Sequence, residues 1–364
     1  MSGLQQVAVD ARMIRHSGIG TALRGLLWAW REEPPAFDLS LMGDPEQLPH
    51  SGEGRTAVTY GAPLYSLSTA LLPAPVGDAQ VLLASHYAAP LRPRALPLVA
   101  VVHDLIHITH PTKRGTRLFM KAYLAALRRR ASFIITPSRH TKVQLQTLHG
   151  FDAHRVLTLP WGAGLAGLTD EKEPPTGLLP SRGYMLAVGI YKPHKNWKFL
   201  LRRLAGLWAK KELELPLVAA GLDAQGREAI AGYAETLGCS KQVVILPAVE
   251  DGVMLSVYRR ASALLFPSLI EGFGFPLVEA MACGTPVVAA DLPPMNETAC
   301  GAAFFFDPDL PESFDEAVRR CLEDEEQREL HAAEAKRRAA EHDWKTVAKA
   351  FEDVLERAFE GFGS

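Results

Sequence analysis

The sequence predicts an α/β protein made of two successive doubly wound domains, each built on a parallel sheet. Three observations predict it. Short apolar runs of four or five residues alternate with longer amphipathic stretches, the pattern of βαβ units rather than of hairpins. A polar, Pro-rich stretch from Thr169 to Arg182, with Glu173-Pro174-Pro175 and Leu179-Pro180, interrupts this alternation, which then restarts. The chain's 364 residues leave room for two domains, at roughly 150 residues each.

In the first half the apolar runs 7–10, 39–42, 81–84, 98–102 and 133–136 read as strands, with helices over about 21–30 and 118–130. In the second half 184–188, 217–220, 243–246 and 263–266 read as strands. Helices are predicted near 197–208, 225–237 and 254–260, with a last one over 344–359. The predicted organisation is a domain over 1–168, a linker over 169–182, a domain over 183–343 and a closing helix within 344–364.

A hydrophobic content of 48% and a charged content of 22% are ordinary for a soluble α/β protein. Residues 1–10 show no basic segment followed by a long apolar run, and no apolar run approaches the ~20 residues that cross a bilayer. A cytoplasmic protein is expected. Cys239, Cys283, Cys300 and Cys321 lack C-x-x-C spacing, which predicts reduced thiols and no metal site. The formal net charge of −2 conceals an asymmetry. No acidic residue separates Asp104 from Asp152, whereas Lys113, Arg114, Arg117, Lys121, Arg128, Arg129, Arg130, Arg139 and Lys142 all fall there.

The most informative segment is Pro267-Ser268-Leu269-Ile270-Glu271-Gly272-Phe273-Gly274-Phe275-Pro276-Leu277-Val278-Glu279. The apolar run before it is a buried strand, and Pro276 suits the first position of a helix because its missing N–H is no loss there. A helix N-terminus approached by Gly272 and Gly274 offers free backbone N–H groups and the positive end of the helix dipole to a phosphate or sugar oxygen. Glu271 and Glu279 add acceptor-only groups on either side. Such acceptors suit a ligand carrying hydroxyls beside its phosphates, as a nucleotide sugar does.

This segment resembles the donor-site signature of retaining glycosyltransferase family 4, two glutamates separated by seven residues within a Gly-Phe-Gly loop and a helix. The resemblance implies a GT-B fold, two doubly wound Rossmann-like domains facing across a cleft, with the last helix crossing back to the first domain. It implies that Glu279 holds the ribose hydroxyls, that Glu271 contacts the transferred sugar, and that the N–H groups of Gly272, Phe273, Gly274 and Phe275 line the sugar and distal phosphate. The loop Gly189-Ile190-Tyr191-Lys192-Pro193-His194-Lys195-Asn196 resembles the family's Gly-x-x-x-Pro-x-Lys-Asn element, in which the lysine grips the donor diphosphate. Lys195 takes that role here. Relatives often carry an arginine where this chain has His194 or Ile190, so the second cation is either Lys192 or His194.

The remaining candidates lie in the first half. Ser17-Gly18-Ile19-Gly20-Thr21 leads into a helix, and in family 4 a glycine loop here lets backbone approach the distal phosphate. A helix cap with flexible glycines is the other reading. Leu23 at the third glycine position argues against a dinucleotide fingerprint. Val101-Val102-His103-Asp104-Leu105 resembles a His-Asp-Leu element of polysaccharide-building relatives, which places His103 against the transferred sugar, with a satisfied core histidine as the alternative. Ser138 reads as a helix cap. His16, His86, His107 and His110 receive no role.

The basic stretch 113–142 interleaves Leu118, Phe119, Tyr123, Leu124 and Leu127 with its cations. Its helix suits either peripheral docking on an anionic membrane or packing on the domain's own sheet. No nucleic-acid-binding module accompanies it. Taken together, the resemblance implies a retaining hexosyltransferase of surface polysaccharide assembly, with GDP-mannose as donor and a saccharide or lipid-linked saccharide as acceptor. No cofactor and no metal are expected, because no Asp-x-Asp motif occurs in a suitable loop. A GT-B nucleotide-sugar epimerase and an inactive GT-B scaffold subunit remain as alternatives.

Overall fold

The computed structural model describes residues 5–16, 18–48, 55–111, 115–164 and 171–361. The chain divides into two compact units, Met1–Gly162 with Asp343–Ser364, and Ala163–His342.

The first unit contains strands β1 (Gln5–Asp10), β2 (Phe37–Gly43), β3 (Arg55–Thr59), β4 (Val81–Ala84), β5 (Leu98–Val101), β6 (Phe133–Thr136) and β7 (Val156–Thr158). Its helices are α1 (Ile19–Glu32), α2 (Leu67–Leu71), α3 (Ile106–Thr109), α4 (Thr116–Arg130) and α5 (Arg139–His149). The sheet runs β3-β2-β1-β4-β5-β6-β7, all parallel, so the winding direction reverses between β1 and β4. β4 and β5 are buried along their whole length, as strands covered by helices on both faces must be. Ser138 caps α5, its Oγ accepting from the Thr141 N–H at 3.2 Å.

The C-terminal helix, Trp344–Glu360, packs on α1 in this unit. Trp344 stacks on Trp161, and Trp30 donates from Nε1 to a Glu352 carboxylate oxygen at 2.9 Å. A Cβ on Gly25 would lie 2.1 Å from Trp344 Cε2. Gly25→Ala is therefore expected to displace the indole and lower stability by about 2–3 kcal/mol, as overpacking of a filled core does. A fall in the denaturant midpoint of the unfolding transition checks this, and an unchanged midpoint would contradict it.

The amphipathic basic helix resolves in favour of internal packing. In α4, Tyr123, Leu124 and Leu127 are buried in the unit's own core. Arg130 donates to the carbonyls of Leu91, Pro93 and Leu96, and Arg117 to those of Ile108 and Thr109. The apolar side predicted for membrane docking is thus spent on the fold, apart from Leu118, which is exposed. Lys113 and Arg114 lie outside the described residues. No helix of the described residues is long and apolar enough to cross a membrane.

The second unit contains β8 (Met185–Val188), β9 (Leu217–Ala220), β10 (Val243–Ile245), β11 (Ala263–Phe266), β12 (Val287–Ala290) and β13 (Phe304–Phe306). Its α-helices are α6 (Trp197–Ala209), α7 (Ala224–Thr236), α8 (Asp251–Arg259), α9 (Phe275–Ala282), α10 (Pro293–Ala299), α11 (Pro311–Glu323) and α12 (Glu325–Glu341). The parallel order β10-β9-β8-β11-β12-β13 puts the reversal between β8 and β11. The described part of the predicted linker, 171–182, belongs to this unit. Glu171 accepts from Ser256 Oγ at 2.7 Å and pairs with Arg259, and the Lys172 N–H donates to the Gly252 carbonyl, binding the stretch to α8.

Candidate active site

Ligands of open parallel sheets bind beyond the carboxyl ends of the strands, where the strand order reverses. In the second unit that point lies between β8 and β11, and the two loops leaving it carry Lys195 and Glu271. A small hollow lined by Val188, Lys195, Phe266, Pro267 and Ser268 opens there.

The β8–α6 loop is shaped by local chemistry. Pro193 begins a single 3-10 turn that ends at Asn196, whose φ of 57° is a left-handed value asparagine tolerates, and Trp197 Nε1 pins the loop by donating to the Ile190 carbonyl at 3.2 Å. The asparagine of the Pro-x-Lys-Asn element thus turns the chain into α6. The two loops are braced together, because the Leu269 N–H donates to the His194 carbonyl at 2.7 Å.

Lys195 Nζ donates to Glu271 Oε1 at 2.5 Å, and the two side chains are only 14% and 10% exposed. The ammonium also sits 5.6 Å from the centroid of the Phe266 ring, a cation–π distance. The two residues singled out in different motifs of the same resemblance are direct partners. Lys192, at the start of the 3-10 turn, is exposed, while His194 is half-buried.

The β11–α9 loop ends at Gly274, whose φ of 94° is a conformation that side chains rarely adopt. Its carbonyl accepts the Leu277 N–H at 3.0 Å, starting the helix, with Pro276 in second rather than first position. The N–H groups of Gly272, Phe273, Gly274 and Phe275 meet no acceptor among the described residues. The Phe273 side chain is core, 4% exposed, and its carbonyl accepts from Thr298 Oγ1 at 3.0 Å, so only its backbone N–H remains for a ligand.

Glu279, half-buried in α9, accepts from Tyr258 Oη at 2.6 Å. Desolvation pushes its carboxyl up to about 7, against the lowering effect of the tyrosine hydrogen bond and with a further upward push from Asp251. Tyr258 is the residue that sequence reading missed. It lies 21 positions before Glu279 on another helix, and no local pattern marks it.

The candidates of the first unit have other engagements. The Gly20 N–H donates to the His16 carbonyl at 2.8 Å, and a Cβ there would lie 2.4 Å from the Ile14 carbonyl oxygen, so this glycine permits a close backbone approach. Gly18 has φ 72° and precedes α1, and Ser17 lies outside the described residues. His103 is 8% exposed, its ring packs on Trp161, and Nε2 lies 2.9 Å from the Ser85 carbonyl. Burial drops its pKa to about 4, so the imidazole is neutral. Nε2 therefore carries the proton and donates. His86 and His107, given no role from sequence, flank the Tyr65 hydroxyl at 2.9 and 3.4 Å. No group of three or more His, Cys, Asp or Glu able to hold a metal occurs among the described residues.

The chain's two parallel-sheet α/β domains have the GT-B fold, that of the solved glycosyltransferase structures it resembles. Residues 169–338 match the family Glycosyl transferases group 1, and residues 74–165 match Glycosyltransferase Family 4. The chain is 24% identical over 243 residues to the O-antigen chain mannosyltransferase RfbU of Salmonella typhimurium, covering 67% of this chain and 65% of the relative. It is 26% identical over 259 residues to O-antigen chain mannosyltransferase B of Escherichia coli, covering 68% and 66%. The match thus spans just under two thirds of the length of each relative. Among solved structures, Anabaena Alr3699/HepE in complex with UDP-glucose superposes with a TM-score of 0.72 at 17% identity, over 98% of this chain and 100% of that one.

Proposed function

We propose that the protein transfers a sugar from a nucleoside-diphosphate sugar to a hydroxyl of a saccharide or lipid-linked saccharide, with retention of the anomeric configuration, in surface polysaccharide assembly. One observation carries this reading. Four N–H donors that meet no acceptor among the described residues, a lysine and two glutamates lie on the loops and helix beside a single switch point.

A diphosphate brings roughly two negative charges, which the N-terminal amides of α9 and Lys195 are arranged to meet. Lys195 is paired with Glu271, so a diphosphate that takes over the lysine releases the carboxylate. Glu271 then accepts from hydroxyls of the transferred sugar, and Glu279 from those of the ribose. The departing phosphate takes the acceptor's proton on the face that it leaves. The reaction passes through an oxocarbenium-like state whose growing phosphate charge Lys195 and the amides stabilise. This route assigns no step to a metal.

The names of the two O-antigen relatives support mannose, and hence GDP-mannose, as donor. The HepE complex with UDP-glucose makes UDP the competitor to test. Thermal stabilisation by GDP, UDP, ADP and their sugar conjugates decides between them, since a ligand at 100 times its Kd adds about 2.7 kcal/mol. A shift selective for GDP and GDP-mannose, abolished by Glu279→Ala, is expected. A UDP-selective shift would overturn the mannose assignment alone. No shift with any nucleotide would overturn the transfer reading.

A further inference from the structure

We infer that Tyr258 is the positioning residue for Glu279, holding its carboxylate in one rotamer with one oxygen left to accept from the nucleotide's ribose. This rests on the donor-site reading of Glu279 given above.

Tyr258 is wholly buried in α8, and its backbone is anchored because the Thr285 Oγ1 donates to its carbonyl at 2.7 Å. Its hydroxyl donates to one Glu279 oxygen, Oε2, at 2.6 Å. The other oxygen, Oε1, meets no donor among the described residues and is the acceptor left for a ligand. A carboxylate on a helix that also faces a sugar needs such a brace, because an unbraced glutamate loses rotamer freedom on binding.

The brace matters electrostatically as well. Besides Tyr258, the titratable groups that bear on this carboxyl are Asp251 at the start of α8 and Cys283 after α9, and Arg259 acts on Cys283. Asp251 and desolvation both favour the protonated acid, and the tyrosine hydrogen bond opposes them. A hydrogen bond to the ionised form favours ionisation. Protonation would turn one acceptor oxygen into a donor and weaken binding, so affinity falls as pH drops through the carboxyl's value.

The test measures calorimetric affinity from pH 6 to 9.5 for whichever of GDP, UDP or ADP stabilises the protein most, as a ratio to wild type so that titration of the diphosphate itself cancels. In Tyr258→Phe the midpoint of the affinity loss should move up by about one to two pH units, the size of one charge-assisted hydrogen bond. Affinity at pH 7 should then fall by about 5- to 50-fold and recover at alkaline pH, as expected when only the ionised fraction binds. Should Tyr258→Phe not fold, 3-fluorotyrosine at this position keeps the hydroxyl, donates more strongly and should move the midpoint to lower pH. An equal loss at every pH, or no loss, would overturn the positioning role. If Glu279→Gln leaves affinity unchanged at all pH values, the ribose role of Glu279 fails, and the inference with it.

Discussion

Lys195→Ala is expected to lose both the nucleoside diphosphate and most of the turnover. The variant removes the cation nearest the proposed phosphate seat and leaves Glu271, with only 10% of its side chain exposed, as an unpaired carboxylate beside it. One charge-assisted hydrogen bond corresponds to about 10- to 150-fold in affinity. Loss of a group that stabilises charge developing on the leaving phosphate lowers kcat by about 10²–10³-fold. Titration calorimetry with the free nucleoside diphosphate and steady-state kinetics on the folded variant check both. A wild-type Kd would remove Lys195 from the phosphate site.

Glu271→Ala is expected to give the opposite split. Removing the carboxylate frees Lys195 from its 2.5 Å partner, so the free nucleoside diphosphate should bind as tightly as to wild type or tighter. Turnover should nevertheless fall by about 10²–10³-fold, because the sugar loses an acceptor placed at the reacting ring. A Kd that weakens in parallel with kcat would mean that Glu271 holds the nucleotide rather than the sugar. The contrast between the two variants separates a group that binds phosphate from one that acts on the sugar, although the two form one ion pair.

Much of the fold was legible because its signals are short-range. Uninterrupted apolar runs such as 81–84 and 263–266 are the mark of strands buried on both faces, and they became β4 and β11. Strands also went unseen, Val287–Ala290 among them although it carries the same buried apolar mark. Arg55–Thr59 is an edge strand with partly exposed residues throughout, and Val156–Thr158 has only three residues, too few for a pattern. The amphipathic pattern of α4 was legible too, but not what its apolar side faces, since a sheet and a membrane demand the same side chains.

The same division holds at the site. By itself the sequence determined two parallel-sheet halves, the glycine loop entering a Pro-marked helix, and the presence there of Lys195, Glu271 and Glu279. Backbone conformation and helix starts depend on neighbours in the chain, so their residues are written locally. Tertiary structure alone decided that Lys195 and Glu271 touch across 76 positions, that His103 turns its Nε2 to a carbonyl, and that Tyr258 holds Glu279. Those facts follow from β8 lying next to β11 and from α8 lying beside α9. Strand order is set by which faces bury together, a property of the whole domain that no single segment carries.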